Sequence, residues 1–206
     1  MKFRLISRVL GIGLIAFSFL QLTPIIVSII YNEDNIIAFA YSFLITLVFG
    51  SFLYLVNFEK KYEGIRVKEG FLLTVLLWIF FTIFATLPLI LGTKNDLSIV
   101  SAYFEATSGL TTTGATIFSD LSGEYYSILF YRGLLQWIGG LGIIVLAIAL
   151  MPLLGVGGMQ LYRGETQGPI NQSKLRPKIA ETAMVLVYIY LILTLLCFLS
   201  YFIAGM

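Results

Sequence analysis

The chain has 206 residues, of which 59% are hydrophobic and only 12% charged, about half the charged share of a soluble domain, and this marks an integral membrane protein. It has no His and a single Cys, Cys197, which excludes an internal disulfide framework and leaves no Cys/His set for a transition-metal site. A formal net charge of +2 is too small to suggest a nucleic-acid partner.

Residues 1–8 (MKFRLISR) are basic and lead into an apolar run over 9–30. A secretory signal peptide is the competing reading, but the run is about 20 residues, long enough to span, and no small-x-small site follows it. A short acidic turn, 31–35, precedes a second span over 36–57. Residues 58–70 form a charged loop with Lys60, Lys61, Arg66 and Lys68, and a third span follows over 71–91 with Pro88 near its far end. The polar turn 92–97, the segment 98–117 and the acidic connection 118–125 separate it from a fourth span, 126–150. Residues 151–179 contain Pro152, Pro169 and Pro177, so no helix is expected to run unbroken through them. A fifth span, 180–204, ends the sequence.

Charge sets the orientation. Eleven of the 13 Lys+Arg fall in residues 1–8, 58–70 and 151–179, leaving Lys94 opposite and Arg132 near the fourth span. The positive-inside rule then puts the N-terminus in the cytoplasm. Glu33, Asp34, Asp96, Asp120 and Glu124 fall on the outer side, either as solvated turns or as a vestibule that concentrates cations.

With the third span running outward and the fourth inward, residues 98–117 must enter and leave from outside. Ser98–Gly109 makes roughly 18 Å of helix, about half the bilayer, with Gly109 as its C-cap. Residues 111–116, extended, return roughly 20 Å to the surface. The polar stretch FEATSGLTTTGATI (104–117) is thus expected to be a pore helix followed by one strand of a cation filter. Its backbone carbonyls replace water, and the Thr hydroxyls at 111–113 add ligands or brace the strand. Gly114 supplies the dihedral reversals. An ordinary polar outer loop is the alternative.

Glu105 and Arg132 are expected to pair behind this strand and brace it, the alternative being separate snorkelling to the interface. Gly133, Gly139, Gly140 and Gly142 make a thin helix face for close packing. GVGG at 155–158 lacks the strand before it and the Lys-Ser/Thr after it that a phosphate loop needs. Trp78, Trp137, Tyr125, Tyr126 and Tyr131 read as interface anchors and core. Arg66-x-Lys68 before the third span and Arg176-x-Lys178 before the fifth form a weak repeat.

FEATSGLTTTGATI, RGLLQWIGGLGIIVLAIALMPLLGVGG and KLRPKIAETA resemble the Trk/Ktr family of bacterial potassium uptake proteins, over about residues 98–185. The two preceding spans fit the extra N-terminal hairpin of the Trk type. The resemblance implies an all-α integral membrane protein built from helix–pore loop–helix repeats, four around one pathway. Residues 1–60 would be the hairpin, 61–162 the first repeat, and 163–206 a cytoplasmic linker with the first helix of an incomplete second repeat. Carried over by position, Thr112, Thr113 and Gly114 form the filter core, flanked by Thr111 and Ala115, and a Gly at position 114 favours potassium over sodium. The resemblance also implies the bacterial inner membrane, a homodimer, a cytoplasmic nucleotide-binding regulatory ring, and potassium as substrate with no cofactor. Because a second pore loop is lacking, the chain is expected to be an N-terminal fragment or truncated product. A non-transporting scaffold and a less selective sodium/potassium pathway are the alternatives. An intramembrane enzyme is disfavoured, since no span carries an Asp or His for a catalytic pair.

Overall fold

A computed structural model describes residues 3–56, 67–94, 97–150 and 175–205, and these are helical apart from turns and short connections. The helices are α1 (Phe3–Leu20), α2 (Thr23–Ile30), α3 (Ile36–Val56), α4 (Val67–Gly92), α5 (Ile99–Leu110), α6 (Tyr126–Leu150) and α7 (Leu175–Ile203). Among the described residues five stretches are long and apolar enough to cross a membrane, with α1 and α2 together making the first. The chain divides into two compact units, Met1–Gly139 and Gly140–Met206. The loop around 57–66, the GVGG segment, Asp96, Arg163 and Lys174 lie outside the described residues.

In the first unit a core of Leu10, Leu14, Phe17, Phe39, Phe84, Leu89, Ala102, Ala106, Leu110, Ile128, Tyr131 and Leu135 joins α1, α3, α4, α5 and the start of α6. Close packing between α1 and α3 depends on small residues: a Cβ on Gly11 would sit 2.7 Å from the Gly50 carbonyl oxygen. Several hydroxyls along the spans are satisfied within their own helices. Ser42 donates to Ala38, Thr46 to Ser42, Thr82 to Trp78 and Thr86 to Thr82, at 2.7–2.8 Å.

The first span is not the single helix expected. Pro24 has no N–H, so the ladder breaks at Gln21–Leu22 and the carbonyl four residues back, on Leu20, loses its donor. The Thr23 hydroxyl replaces that donor at 2.8 Å. Pro88 does the same inside α4, freeing the Phe84 carbonyl. Here the donor comes from the turn between α1 and α2: the fully buried Gln21 sends Nε2 to Phe84 O at 3.0 Å, and its Oε1 lies 3.1 Å from the Thr46 hydroxyl. The Tyr131 hydroxyl donates to the neighbouring Ala85 carbonyl at 3.1 Å. In lipid a carbonyl without a donor costs several kcal/mol, and these side chains remove that cost. Tyr131, read from sequence as an anchor or core residue, is a core residue, 1% exposed.

In the second unit α7 begins at Leu175, earlier than the expected 180, because Pro177 sits in the first turn, where a missing N–H breaks no bond. Thr194 and Ser200 donate to Tyr190 and Leu196 carbonyls at 2.8 Å.

Candidate functional site

The site is built on α5 and the residues that follow it. Ser98 is an extended N-cap whose hydroxyl accepts from the Ser101 N–H at 3.1 Å. Glu105 then meets Arg132 of α6, Gly109 packs on Leu135, and the Leu110 carbonyl fills the space a Gly139 side chain would need. Gly139 lies roughly 20 Å along α6 from Tyr126, so α5 reaches more than half-way through a hydrocarbon layer of about 30 Å. Of the glycines on the expected thin face, Gly139 makes this crossing, while Gly133 and Gly142 have nothing within 4 Å of a Cβ.

The chain then reverses. Thr111 is the C-cap (φ −81°, ψ 2°), and the N–H groups of Thr112 and Thr113 donate to the carbonyls of Gly109 and Ser108, each at 3.0 Å. This pair of bonds is a Schellman closure, with Thr112 as its left-handed residue at φ 58°. The expected cap, Gly109, is instead inside the helix, where a Cβ would lie 3.1 Å from that of Leu135. Packing takes the glycine, so a β-branched residue occupies the left-handed position, at a cost of about 1–3 kcal/mol.

Gly114 is also left-handed (φ 76°), whereas Thr113 and Ala115 are not. In an extended strand successive carbonyls point to opposite sides. Reversing φ at every second residue swings alternate peptide planes and draws the carbonyls toward one side. A Cβ at Gly114 would meet nothing within 4 Å, so the glycine is needed for its conformation and not for room.

Side chains on α5 and α6 hold the return leg. Ser108 Oγ donates to the Ala115 carbonyl at 2.6 Å. Glu105 accepts from the Thr116 hydroxyl at 3.1 Å, the Ile117 N–H at 3.0 Å and Arg132 Nε at 2.6 Å. The ties 113 to 108, 115 to 108 and 116–117 to 105 run antiparallel to α5, so the segment is a hairpin that enters and leaves on the same side. Glu105 is 3% exposed, and the Arg132 guanidinium also lies 5.3 Å from the Phe118 ring centroid. Between these ties the carbonyls of Thr111, Thr112, Thr113 and Gly114 accept no hydrogen bond from any described residue, and residues 111–117 are exposed. Thr111 and Thr113 hydroxyls lie 2.8 Å apart, with Thr111 donating to the Thr107 carbonyl at 2.8 Å.

The sequence-expected residues therefore converge on one hairpin, with a difference at Ala115. The Ala115 carbonyl faces Ser108, so it anchors the strand. The carbonyls of residues 107–109 at the C-terminal end of α5 are capped by the N–H groups of Thr111, Thr113 and Thr112, and the bare carbonyls lie beyond the helix. Ser108 and Thr116 were not singled out from sequence. The 105/108 spacing, which puts both residues on one face of α5, was the available signal.

The acids expected on the outer side do not act as one group among the described residues. Glu33 is buried and accepts from the Tyr126 and Ser127 N–H groups at 2.6 and 3.1 Å, capping α6. Glu124 accepts from the Lys94 N–H at 3.0 Å, and Lys94 Nζ donates to the Gly123 carbonyl at 2.7 Å. Asp120 is exposed, and hydrogen bonds from the Ser122 hydroxyl and N–H hold its carboxyl below the usual 3.8.

Spanning helices joined by a re-entrant helix and return strand define a membrane transport protein of the pore-loop class. The chain belongs to the TrkH family of cation transport proteins, whose family model matches residues 35–206. It is 47% identical over 206 residues to the Trk system potassium uptake protein TrkH of Escherichia coli K12, covering all of this chain and 42% of that protein. It is 37% identical to the Trk system potassium uptake protein TrkG of the same strain, over 98% of this chain and 42% of that one. The crystal structure of the potassium transporter TrkH from Vibrio parahaemolyticus superimposes with a TM-score of 0.85 at 40% identity, covering 100% of this chain and 40% of that one. The chain thus spans less than half the length of the relatives it matches.

Proposed function

We propose that this chain supplies one filter loop of a potassium uptake pathway, with ion ligands drawn from the backbone carbonyls of Thr111, Thr112, Thr113 and Gly114. The observation that carries this reading is the row of bare carbonyls, held at both ends, in a segment of alternating handedness. A potassium ion entering lipid depth must exchange its hydration shell for oxygens at fixed positions, and carbonyls provide them without adding charge. The membrane potential drives inward movement, at about 2.3 kcal/mol per charge per 100 mV. Glu105 and Arg132 brace the strand from behind.

One strand supplies a quarter of a ring, so three further loops belong to the pathway. A chain matching 42% of the E. coli relative's length accounts for the first repeat and the opening of a second. The distribution of cations supports a cytoplasmic N-terminus in a bacterial inner membrane. The homodimer and the cytoplasmic nucleotide-binding ring rest on the family resemblance alone, and co-purification with the full-length protein tests them.

The functional test is potassium-limited growth of an uptake-deficient strain. The full-length protein should restore growth, whereas this chain alone and the full-length Gly114→Asp variant should not. Normal transport by Gly114→Asp would remove the filter assignment. Rescue by the 206-residue chain alone would remove the one-loop-of-four reading.

A further inference from the structure

We infer that Ser108 is a specificity-determining positioning residue, which sets the carbonyl spacing around Gly114 by holding the chain on both sides of it. The inference rests on the filter reading above and adds to it the residue that fixes the strand's geometry. Ser108 is 6% exposed on the face of α5 that meets the return strand. Its backbone carbonyl accepts from the Thr113 N–H at 3.0 Å, and its hydroxyl donates to the Ala115 carbonyl at 2.6 Å. One residue therefore grips the positions immediately before and after Gly114.

Gly114 is the most permissive residue in the strand, and no neighbouring atom lies close enough to restrain it through a Cβ. Glu105 holds Thr116 and Ile117, one position too far along the strand to stop the Gly114–Ala115 peptide from rotating. Arg132 bonds Glu105 and, among the described residues, makes no hydrogen bond to the strand itself. The Ser108 hydroxyl is the side-chain tie that points the Ala115 carbonyl back toward α5. By fixing the Ala115–Thr116 peptide plane, with the Thr113–Ser108 bond fixed on the other side, it limits how far the intervening Gly114–Ala115 plane and its Gly114 carbonyl can turn.

Discrimination between potassium and sodium requires oxygens that do not close around the smaller ion. Without the Ser108 hydroxyl the Ala115 carbonyl is free to swing outward, and the strand can then contract around sodium. The Thr113–Ser108 backbone bond survives any side-chain change, so the hairpin itself should remain.

The test compares full-length wild type, Ser108→Ala and Ser108→Thr for rubidium and potassium uptake under sodium competition, with membrane abundance measured in parallel. Ser108→Ala should lose roughly fivefold in potassium-over-sodium preference, the equivalent of one neutral hydrogen bond, while still reaching the membrane and transporting. Ser108→Thr, which keeps the hydroxyl, should restore the preference. Unchanged preference in Ser108→Ala overturns the inference. If Ser108→Ala does not reach the membrane, Ser108→Cys replaces it, and a wild-type preference with this weaker donor is the overturning result. A wild-type protein with no preference for potassium would instead defeat the filter reading itself.

Discussion

Among the described residues, the proline breaks and the segment after α5 both release backbone carbonyls from the helical ladder, and they treat them in opposite ways. At Pro24 and Pro88 the carbonyls of Leu20 and Phe84 lose their donors, and Thr23 and Gln21 replace those donors within 3.0 Å. After α5 the carbonyls of Thr111 to Gly114 are also outside the ladder, but side chains hold the strand at its ends and leave these oxygens bare. In an apolar solvent a freed carbonyl must find a donor or a cation. The comparison separates a structural break from a candidate ligand site by where the nearby side chains spend their hydrogen bonds.

The strongest way to break the hairpin side of the comparison is Glu105→Ala, which strands Arg132 and frees Thr116 and Ile117. Removing one partner of a buried pair costs about 3–5 kcal/mol. The protein should be largely lost from the membrane, as immunodetection of membrane fractions would reveal.

Gln21→Leu tests the saturated side. It should lower stability by about 1–3 kcal/mol, measured by thermal unfolding in detergent, because the Phe84 carbonyl is left without a donor. In a Pro88→Ala background residue 88 regains an N–H for that carbonyl, so the penalty for Gln21→Leu should shrink. Equal penalties in both backgrounds would show that Gln21 does not act through the proline break.

Gly139→Ala brings a Cβ into the Leu110 carbonyl, which belongs to the backbone and cannot rotate away. The expected loss is about 1–3 kcal/mol in the same unfolding assay.

Gly114→Ala has room for its methyl but not the right conformation, and should cost about 1–2 kcal/mol, with Gly114→Asn costing less because Asn tolerates φ > 0. Thr112→Gly relieves strain at the other left-handed position and should stabilise the protein slightly while reducing potassium selectivity in uptake assays.

Asp120→Asn should have the smallest effect, since the turn it caps is exposed. A carboxyl held below 3.8 contributes stability above that pH, and the contribution is lost as pH falls through the depressed value. The unfolding midpoint of wild type should therefore lie slightly above that of Asp120→Asn at neutral pH, and the two should converge as pH falls through the depressed value.

Much of this was legible in the sequence. The five spans, the re-entrant segment and the Thr111–Ala115 stretch follow from apolar run lengths, charge sidedness and a polar cluster that lipid does not tolerate without a reason. Two charges at lipid depth, Glu105 and Arg132, invite a pairing because each alone is costly, and the ion pair is present. The use of each glycine was not legible. Gly109 has the right identity for a helix cap, but Leu135 comes so close that the position needs a missing side chain, and the left-handed turn falls on Thr112. Nor did the apolar run over 9–30 reveal that Pro24 splits it, or that Gln21 in the split serves a carbonyl 63 residues away.

Composition and the placement of charge by themselves determined that the chain crosses a membrane and that residues 98–117 dip into it, because hydration free energy depends on residue type and run length. Only the tertiary structure decided which carbonyls are saturated and which are bare. That depends on which helix faces bring Ser108, Glu105 and Gln21 within about 3 Å of their acceptors or donors, and hydrogen bonds are too short-ranged to be read from spacing along the chain.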